Sequence, residues 1–372
     1  MKQIKIFSLI LSLSIITSIS NAQSFKVPPY EKFKLPNGLT IYLMEQHDVP
    51  VINVSAVLPA GAIYDGDKAG LASLTATALK HGTKNFPKVK LDEELDFIGA
   101  SVYTYASKES SGLSAKFASK DKEEVLAIIK DLLMEPVFDQ SEFDKEKQRL
   151  LVNLEQQKER PGSVIGSYFD KLLYGDHVYG NIIQGKISTV NPLTTTDLKN
   201  FYKENYRPDG SAISIVGDFS TKEMKAMLTS LFSGWKKGTK AQPNLASKPI
   251  TKPTGNNVLL VNKDDAKETT FYIGAPGVSR NNTDYVAIEV VNTLFGGRFT
   301  SMLNDELRVN SGLTYGARSS FSALKNGGSF VISTFTANKT TEPAIDKTLE
   351  VLKKLHSNGI DEQSLTSAKN YV

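Results

Sequence analysis

The 372-residue sequence contains no cysteine, which excludes disulfides, thiol catalysis, thiolate metal ligation and lipid attachment through a cysteine. Histidine is scarce: His47, His81, His177 and His356 are the whole set, and no two stand at the spacing that puts a pair of ligands on one helix face. An excess of one charge is also lacking. Against 40 Asp and Glu there are 44 Lys and Arg, a formal +4, too weak a bias to point to nucleic acid or a membrane surface. No Gly-x-Ser-x-Gly elbow and no phosphate-binding glycine loop occur. Beyond the N-terminal segment, no stretch is apolar enough to span a bilayer.

That N-terminal segment is the first positive feature. Lys2 and Lys5 precede an apolar run from Ile6 to Ile19, followed by Ser20-Asn21-Ala22. This is the pattern of a secretory signal peptide over residues 1–22 with a small-x-small cleavage site, so the mature chain is expected to begin at Gln23. A membrane anchor is disfavoured, because the run is short and small polar residues follow it directly. The sequence thus predicts an exported protein, most simply periplasmic.

With 40% hydrophobic, 9% aromatic and 23% charged residues, the rest reads as an ordinary globular chain with a sizeable core. Its length predicts two lobes. The best linker covers residues 239–252, rich in Lys and Pro; it divides a first lobe, 25–238, from a second, 253–372. The two lobes read as versions of one another. Segments Ala100–Ser107 and Ser111–Ser119 alternate like strands and precede a helix with Val125, Ile128, Ile129, Leu132 and Leu133 on one face. Tyr315–Leu324 and Gly328–Ala337 precede a helix carrying Ile345, Leu349 and Leu352. Phe138-Asp139-Gln140 then matches Ile360-Asp361-Glu362 as the opening of a further helix in each lobe. The expected fold is α+β, two homologous lobes, each an antiparallel-rich sheet covered by helices. Val372 falls opposite Leu150, in the middle of a helix, so the second lobe is expected to be incomplete, as in a truncated record or gene fragment.

The chemistry centres on Gly70-Leu71-Ala72-Ser73-Leu74-Thr75-Ala76-Thr77-Ala78-Leu79-Lys80-His81-Gly82-Thr83. This stretch resembles the zinc-site helix of the insulinase and pitrilysin peptidases, which include the mitochondrial processing peptidase type and carry H-x-x-E-H in a Gly-x-Ala frame before Gly-Thr. Leu35-Pro36-Asn37-Gly38-Leu39 and Leu58-Pro59-Ala60-Gly61-Ala62 are similar to that family's opening hairpin. The resemblance implies that Ser73 and Thr77 stand where two metal-binding histidines belong, Ala76 where the general-base glutamate belongs, and Asn153 at the remaining ligand position. Zinc takes imidazole, thiolate or carboxylate, and none of these four residues supplies one. His81 follows the altered motif closely, but the frame puts it after the helix, in a capping or surface role; His177, in Tyr174-Gly175-Asp176-His177-Val178-Tyr179-Gly180, is expected to be structural. Ser73 has no histidine or lysine close in sequence to activate it as a nucleophile. The chain is therefore expected to have no catalytic residues and no metal of its own.

The second lobe is different. Leu294-Phe295-Gly296-Gly297-Arg298 and Leu307-Arg308-Val309-Asn310-Ser311-Gly312-Leu313-Thr314-Tyr315 resemble the family's substrate-binding stretch, in which an arginine and a tyrosine lie seven residues apart. Arg308 and Tyr315 fit. The resemblance implies that this pair contacts peptide substrate near a zinc site, where a phenol and a guanidinium stabilise a developing oxyanion. Some members of the family divide metal motif and Arg/Tyr pair between two homologous subunits. This chain resembles the latter: the non-metal subunit of a heterodimeric zinc peptidase, with zinc on a partner bearing an intact H-x-x-E-H. The alternative is a binding or scaffold protein that kept the fold without the chemistry.

Overall fold

The computed structural model describes residues 27–239, 248–250 and 254–372. The expected signal peptide and most of the expected linker lie outside them.

Alternation builds the first lobe. In β3 (Val51–Leu58), Ile52, Val54, Ala56 and Leu58 are buried while Asn53, Ser55 and Val57 face out, the period-two pattern of a sheet with one covered face. It joins β1 (Glu31–Lys34), β2 (Thr40–Glu45), β4 (Ser101–Ala106), β5 (Ser111–Ala118) and β6 (Ala212–Gly217) in the order β1-β2-β6-β3-β5-β4. All pairings are antiparallel except β2 with β6. The accompanying helices are α1 (Leu71–Ala78), α2 (Lys88–Phe97), α3 (Lys122–Met134), α4 (Gln140–Gln157), α5 (Pro161–Tyr174), the single turn α6 (Ile187–Val190), α7 (Thr195–Asn205) and α8 (Thr221–Phe232). The predicted apolar face of α3 is fully buried, and with Ile41, Leu43, Ile213 and Ile215 from the sheet it forms one continuous core.

The second lobe contains a three-stranded antiparallel sheet, β7 (Glu268–Gly277), β8 (Ala317–Leu324) and β9 (Gly327–Ala337), in the order β7-β9-β8. Its helices are α9 (Tyr285–Asn292), which runs on as a π-helical turn through Gly297; α10 (Met302–Asn304), which runs on likewise through Asn310; α11 (Thr341–Asn358); and α12 (Glu362–Tyr371). The core is smaller, formed by Phe295, Leu303, Leu307, Ala317, Ile332 and Val351.

The internal repeat is visible in the element order. β3-β5-β4 and β7-β9-β8 are equivalent antiparallel sets, and in each lobe the hairpin runs through one 3-10 turn, Ser119–Asp121 or Asn338–Thr340, into a helix. The next helix is capped alike. Asp139 accepts the Glu142 amide at 3.0 Å, and Asp361 accepts the Ser364 amide at 2.8 Å, each carboxylate satisfying one first-turn donor. One expectation is corrected: α11 buries Ala344, Thr348 and Val351, whereas Leu349 is exposed and Ile345 and Leu352 are only half-buried. Small Ala344 and Thr348 let α11 lie close to the lobe, and the Thr348 hydroxyl is satisfied at 2.7 Å by the Ala344 carbonyl, so a buried stripe offset by one residue costs no unpaired polar group. β8 also starts two residues later than predicted, at Ala317.

The lobes meet through α5 and the β8–β9 turn. Phe169 packs edge-on against Tyr272, with ring centroids 5.8 Å apart. At the turn, the Glu109 carboxylate accepts the Lys325 amide at 3.0 and 3.1 Å from its two oxygens, and the Tyr179 hydroxyl accepts the Asn326 amide at 3.2 Å while donating to Glu109.

Candidate functional site

α1 begins on Gly70, whose φ of +102° is one that L side chains rarely adopt, and a Cβ there would lie 3.0 Å from the Gln184 carbonyl. The preceding Asp65, buried to 4% exposure, accepts the Gly70 amide at 3.0 Å and the Ala72 amide at 2.8 Å. It thereby ties down the start of the helix. Burial pushes its carboxyl up to about 7, against the pull of those amides.

Along α1, Leu71, Ala72, Leu74, Thr75, Ala76 and Ala78 are buried. Ser73 and Thr77, one turn apart, are left half-buried on a shared face. The Thr77 hydroxyl donates to the Ser73 carbonyl at 3.1 Å, so it is turned back onto its own helix. Ala76 has no exposed surface at all, and its methyl group neither binds nor moves a proton. Asn153 is exposed on α4, which packs beside α1. Two hydroxyls, a methyl and a carboxamide do not fit zinc. Among the described residues, no three His, Cys, Asp or Glu side chains gather where they could hold a metal ion.

His81 departs from its expected place. It is 5% exposed rather than on the surface; its amide closes the end of α1 on the Ala78 carbonyl at 3.0 Å, while its Nδ1 has no hydrogen-bond partner among the described residues. Burial lowers its pKa, opposed by the charges of Glu146 and Glu142 on α4. Proximity to a glycine turn in sequence does not reveal that the ring is enclosed. His177 is structural: Nδ1 accepts the Tyr179 amide at 3.2 Å, and Nε2 lies 3.1 Å from the Lys248 carbonyl, to which it donates.

Arg308 and Tyr315 occupy the two ends of a closed loop in the second lobe. The Leu307 carbonyl accepts the Leu313 amide at 2.8 Å and the Thr314 amide at 3.3 Å, so the residues immediately before Arg308 and Tyr315 are hydrogen-bonded to each other. The Arg308 guanidinium lies over the Phe299 ring, 4.6 Å from its centroid, a cation–π contact. Tyr315 is 83% exposed, its ring 6.5 Å from that of Phe335. Buried Asn304 supports both ends, donating to the Phe299 carbonyl at 3.0 Å and accepting the Ala317 amide at 2.8 Å. Gly296, in the turn after α9, packs tightly against β8: a Cβ there would stand 2.5 Å from the Ser319 backbone nitrogen.

Two family models match end to end: "Insulinase (Peptidase family M16)" over residues 41–185, and "Peptidase M16 inactive domain" over residues 192–372. The chain belongs to the insulinase family of peptidases. Within that family it resembles an uncharacterized zinc protease of Rickettsia felis, 25% identical over 91% of this chain and 81% of that one. It is also 24% identical to a Helicobacter pylori protein described as the non-peptidase homolog YmxG, over 90% of this chain and 79% of that one. Its fold matches the crystal structure of a peptidase M16 inactive domain from Pseudomonas fluorescens with a TM-score of 0.86 at 24% identity, covering 92% and 83% of the two chains. A Helicobacter pylori protease matches with a TM-score of 0.87 at 21% identity, covering 93% and 84%. The two-lobe α+β fold is that of this family, and the altered residues of α1 stand in an insulinase-type lobe.

Sequence reasoning missed Asp65, Glu109, Phe299 and Asn304. Only Asp65 carried a usable signal, an acidic residue shortly before a Gly-led helix; the others act through contacts remote in sequence.

Proposed function

We propose that this chain is the non-metal subunit of a heterodimeric zinc peptidase acting on peptides or unfolded segments in the periplasm. Its partner is a homologous subunit with an intact H-x-x-E-H, and Arg308 and Tyr315 complete that partner's zinc site in trans. The observation that carries the reading is the contrast between the lobes. Ser73, Ala76, Thr77 and Asn153 offer no metal donor set, while Arg308 and Tyr315 remain presented on a loop closed by backbone hydrogen bonds, with Tyr315 83% exposed. An exposed phenol and a guanidinium whose nearest ring partner is Phe299 are the groups that stabilise an oxyanion forming on a carbonyl attacked from another subunit.

The test is co-expression with a homologous metal-bearing subunit, followed by zinc-dependent peptide cleavage by each protein alone and by both together. Activity that needs both chains supports the reading. Full activity in the metal-bearing protein alone, unaffected by this chain, replaces it with a non-enzymatic scaffold.

A further inference from the structure

The face of α1 that carries Ser73 and Thr77 continues into Lys80, one turn on, and Lys80 reaches the edge of the first sheet. β4 is that edge, paired on one side only, with β5. The Ser107 amide donates to the Ser110 carbonyl at 2.7 Å across the hairpin turn, so residues 107 and 110 form a hydrogen-bonded pair. Hydrogen-bonded and non-hydrogen-bonded pairs alternate along an antiparallel ladder. With Ala106 opposite Ser111, Thr104 opposite Leu113 and Val102 opposite Ala115, the backbone groups of Val102, Thr104 and Ala106 point away from β5, to the open side. These are the groups an added strand would use. The Lys80 ammonium already occupies one of them, donating to the Val102 carbonyl at 2.8 Å.

We propose that Lys80 closes the Val102 end of β4 to strand addition, so that this lobe does not hold an extended peptide across the Ser73–Thr77 face. A lysine against an edge carbonyl acts in two ways. It consumes an acceptor that the peptide's amide needs, and it sets a charged group and its alkyl stem where the peptide backbone would run. The remaining outward positions, Thr104 and Ala106, give too short a ladder to hold a strand by themselves. Peptide capture in a two-subunit complex then falls to the partner's sheet edge, and this chain contributes its second lobe. From the proposed function the inference takes only that extended peptides are the ligands.

The test uses this chain alone, with fluorescence anisotropy of a short, unstructured, fluorescein-labelled peptide. Lys80→Met keeps the apolar stem and frees the carbonyl, and is expected to tighten binding roughly tenfold, the worth of about one recovered hydrogen bond. Lys80→Ala repeats the measurement with a shorter side chain. The same peptide N-methylated at alternate residues cannot donate to the edge, and the gain is expected to vanish with it. Unchanged or weaker binding in both variants overturns the proposal, as does a gain that survives N-methylation. Either result leaves the trans role of Arg308 and Tyr315 untouched, because that role is read from cleavage by the complex.

Discussion

The carbonyl of Leu307 and the amide of Thr314 are joined at 3.3 Å, and the Leu313 amide adds a second bond to the same carbonyl at 2.8 Å. Through this closure Arg308 and Tyr315, seven residues apart in sequence, sit at the two ends of a single loop rather than in independent positions. Thr314 is held from below as well, its hydroxyl 3.0 Å from that of Thr334 in β9. A backbone braced in this way fixes where the Tyr315 side chain leaves the loop, and under the proposed role in trans, preorganised donors stabilise a developing oxyanion most effectively.

Tyr315→Phe removes one hydroxyl from an exposed ring and leaves the loop's backbone bonds in place. In the reconstituted two-subunit complex, turnover is expected to fall by roughly 10²–10³, with dimer assembly by size-exclusion chromatography unchanged. An unaltered rate removes the phenol from the chemistry.

Asn304 is the shared support, 4% exposed and bonded to both the Phe299 carbonyl and the Ala317 amide. Asn304→Ala leaves the buried Ala317 amide unpaired and frees the part-buried Phe299 carbonyl, and is expected to cost about 1–3 kcal/mol, measured by urea denaturation of the chain. In the complex, the same variant should lower turnover more than its stability loss explains, since it releases the backbone on which Phe299 backs Arg308.

On the metal side, two neutral hydroxyls, a methyl and an exposed carboxamide provide no zinc-binding set at Ser73, Thr77, Ala76 and Asn153. The purified chain, analysed by inductively coupled plasma mass spectrometry, is expected to carry far less than one zinc per molecule. EDTA is expected to leave its thermal midpoint unmoved. Stoichiometric zinc would require ligands other than these positions.

The sequence showed what local pattern controls. The β4–β5 and β8–β9 hairpins, helix α3 and the Asp139 and Asp361 caps follow from alternation, helical periodicity and a carboxylate before a first turn. The altered residues of α1 were legible because the surrounding Gly, Ala and Gly-Thr frame is intact. Contacts between distant segments were not legible. Nothing near Lys80 in sequence indicates that it reaches Val102, and nothing near Glu109 indicates that it meets Lys325 across the lobes. His81 was misplaced because polarity favours the surface, whereas here its ring is enclosed. The α11 stripe was misread because large Leu349 outweighed small Ala344 and Thr348, which are the residues that pack.

Asp65 gives a pH dependence with a definite sign. Its folded carboxyl titrates near 7, against an ordinary value of 3.8, so the folded state holds the proton more tightly than the unfolded chain. Its contribution to stability is fully present below 3.8 and is lost as pH rises through 7. A shift of this size corresponds to several kcal/mol, on the order of 1.4 per pH unit. Other carboxylates, such as Asp197 and Asp218, are shifted downward and slope the opposite way, so the measurement is a difference. Urea midpoints of the wild type minus those of Asp65→Asn should decline between pH 4 and 7. A flat difference would mean that Asp65 stays ionised on its two amides.

Glu109 links the lobes with one carboxylate. Both of its oxygens accept the Lys325 amide, and one also receives the Tyr179 hydroxyl. Beside it, Lys108 pairs with Asp170 of α5 at 2.8 Å. Hydrogen bonds to a charged acceptor contribute about 1.5–3 kcal/mol each, so Glu109→Ala should weaken the attachment of the β8–β9 turn far more than it weakens either core. Glu109→Gln retains one acceptor oxygen and should give an intermediate effect. The expected readout is faster hydrogen exchange at the Lys325 and Asn326 amides, with exchange in β3 and β5 unchanged. If exchange rises equally in β3 and β5, the carboxylate supports the first lobe's own stability rather than its contact with the second. Confinement to the turn would identify Glu109 as the residue that fixes how the lobe bearing Arg308 and Tyr315 is set against the lobe bearing Ser73 and Thr77.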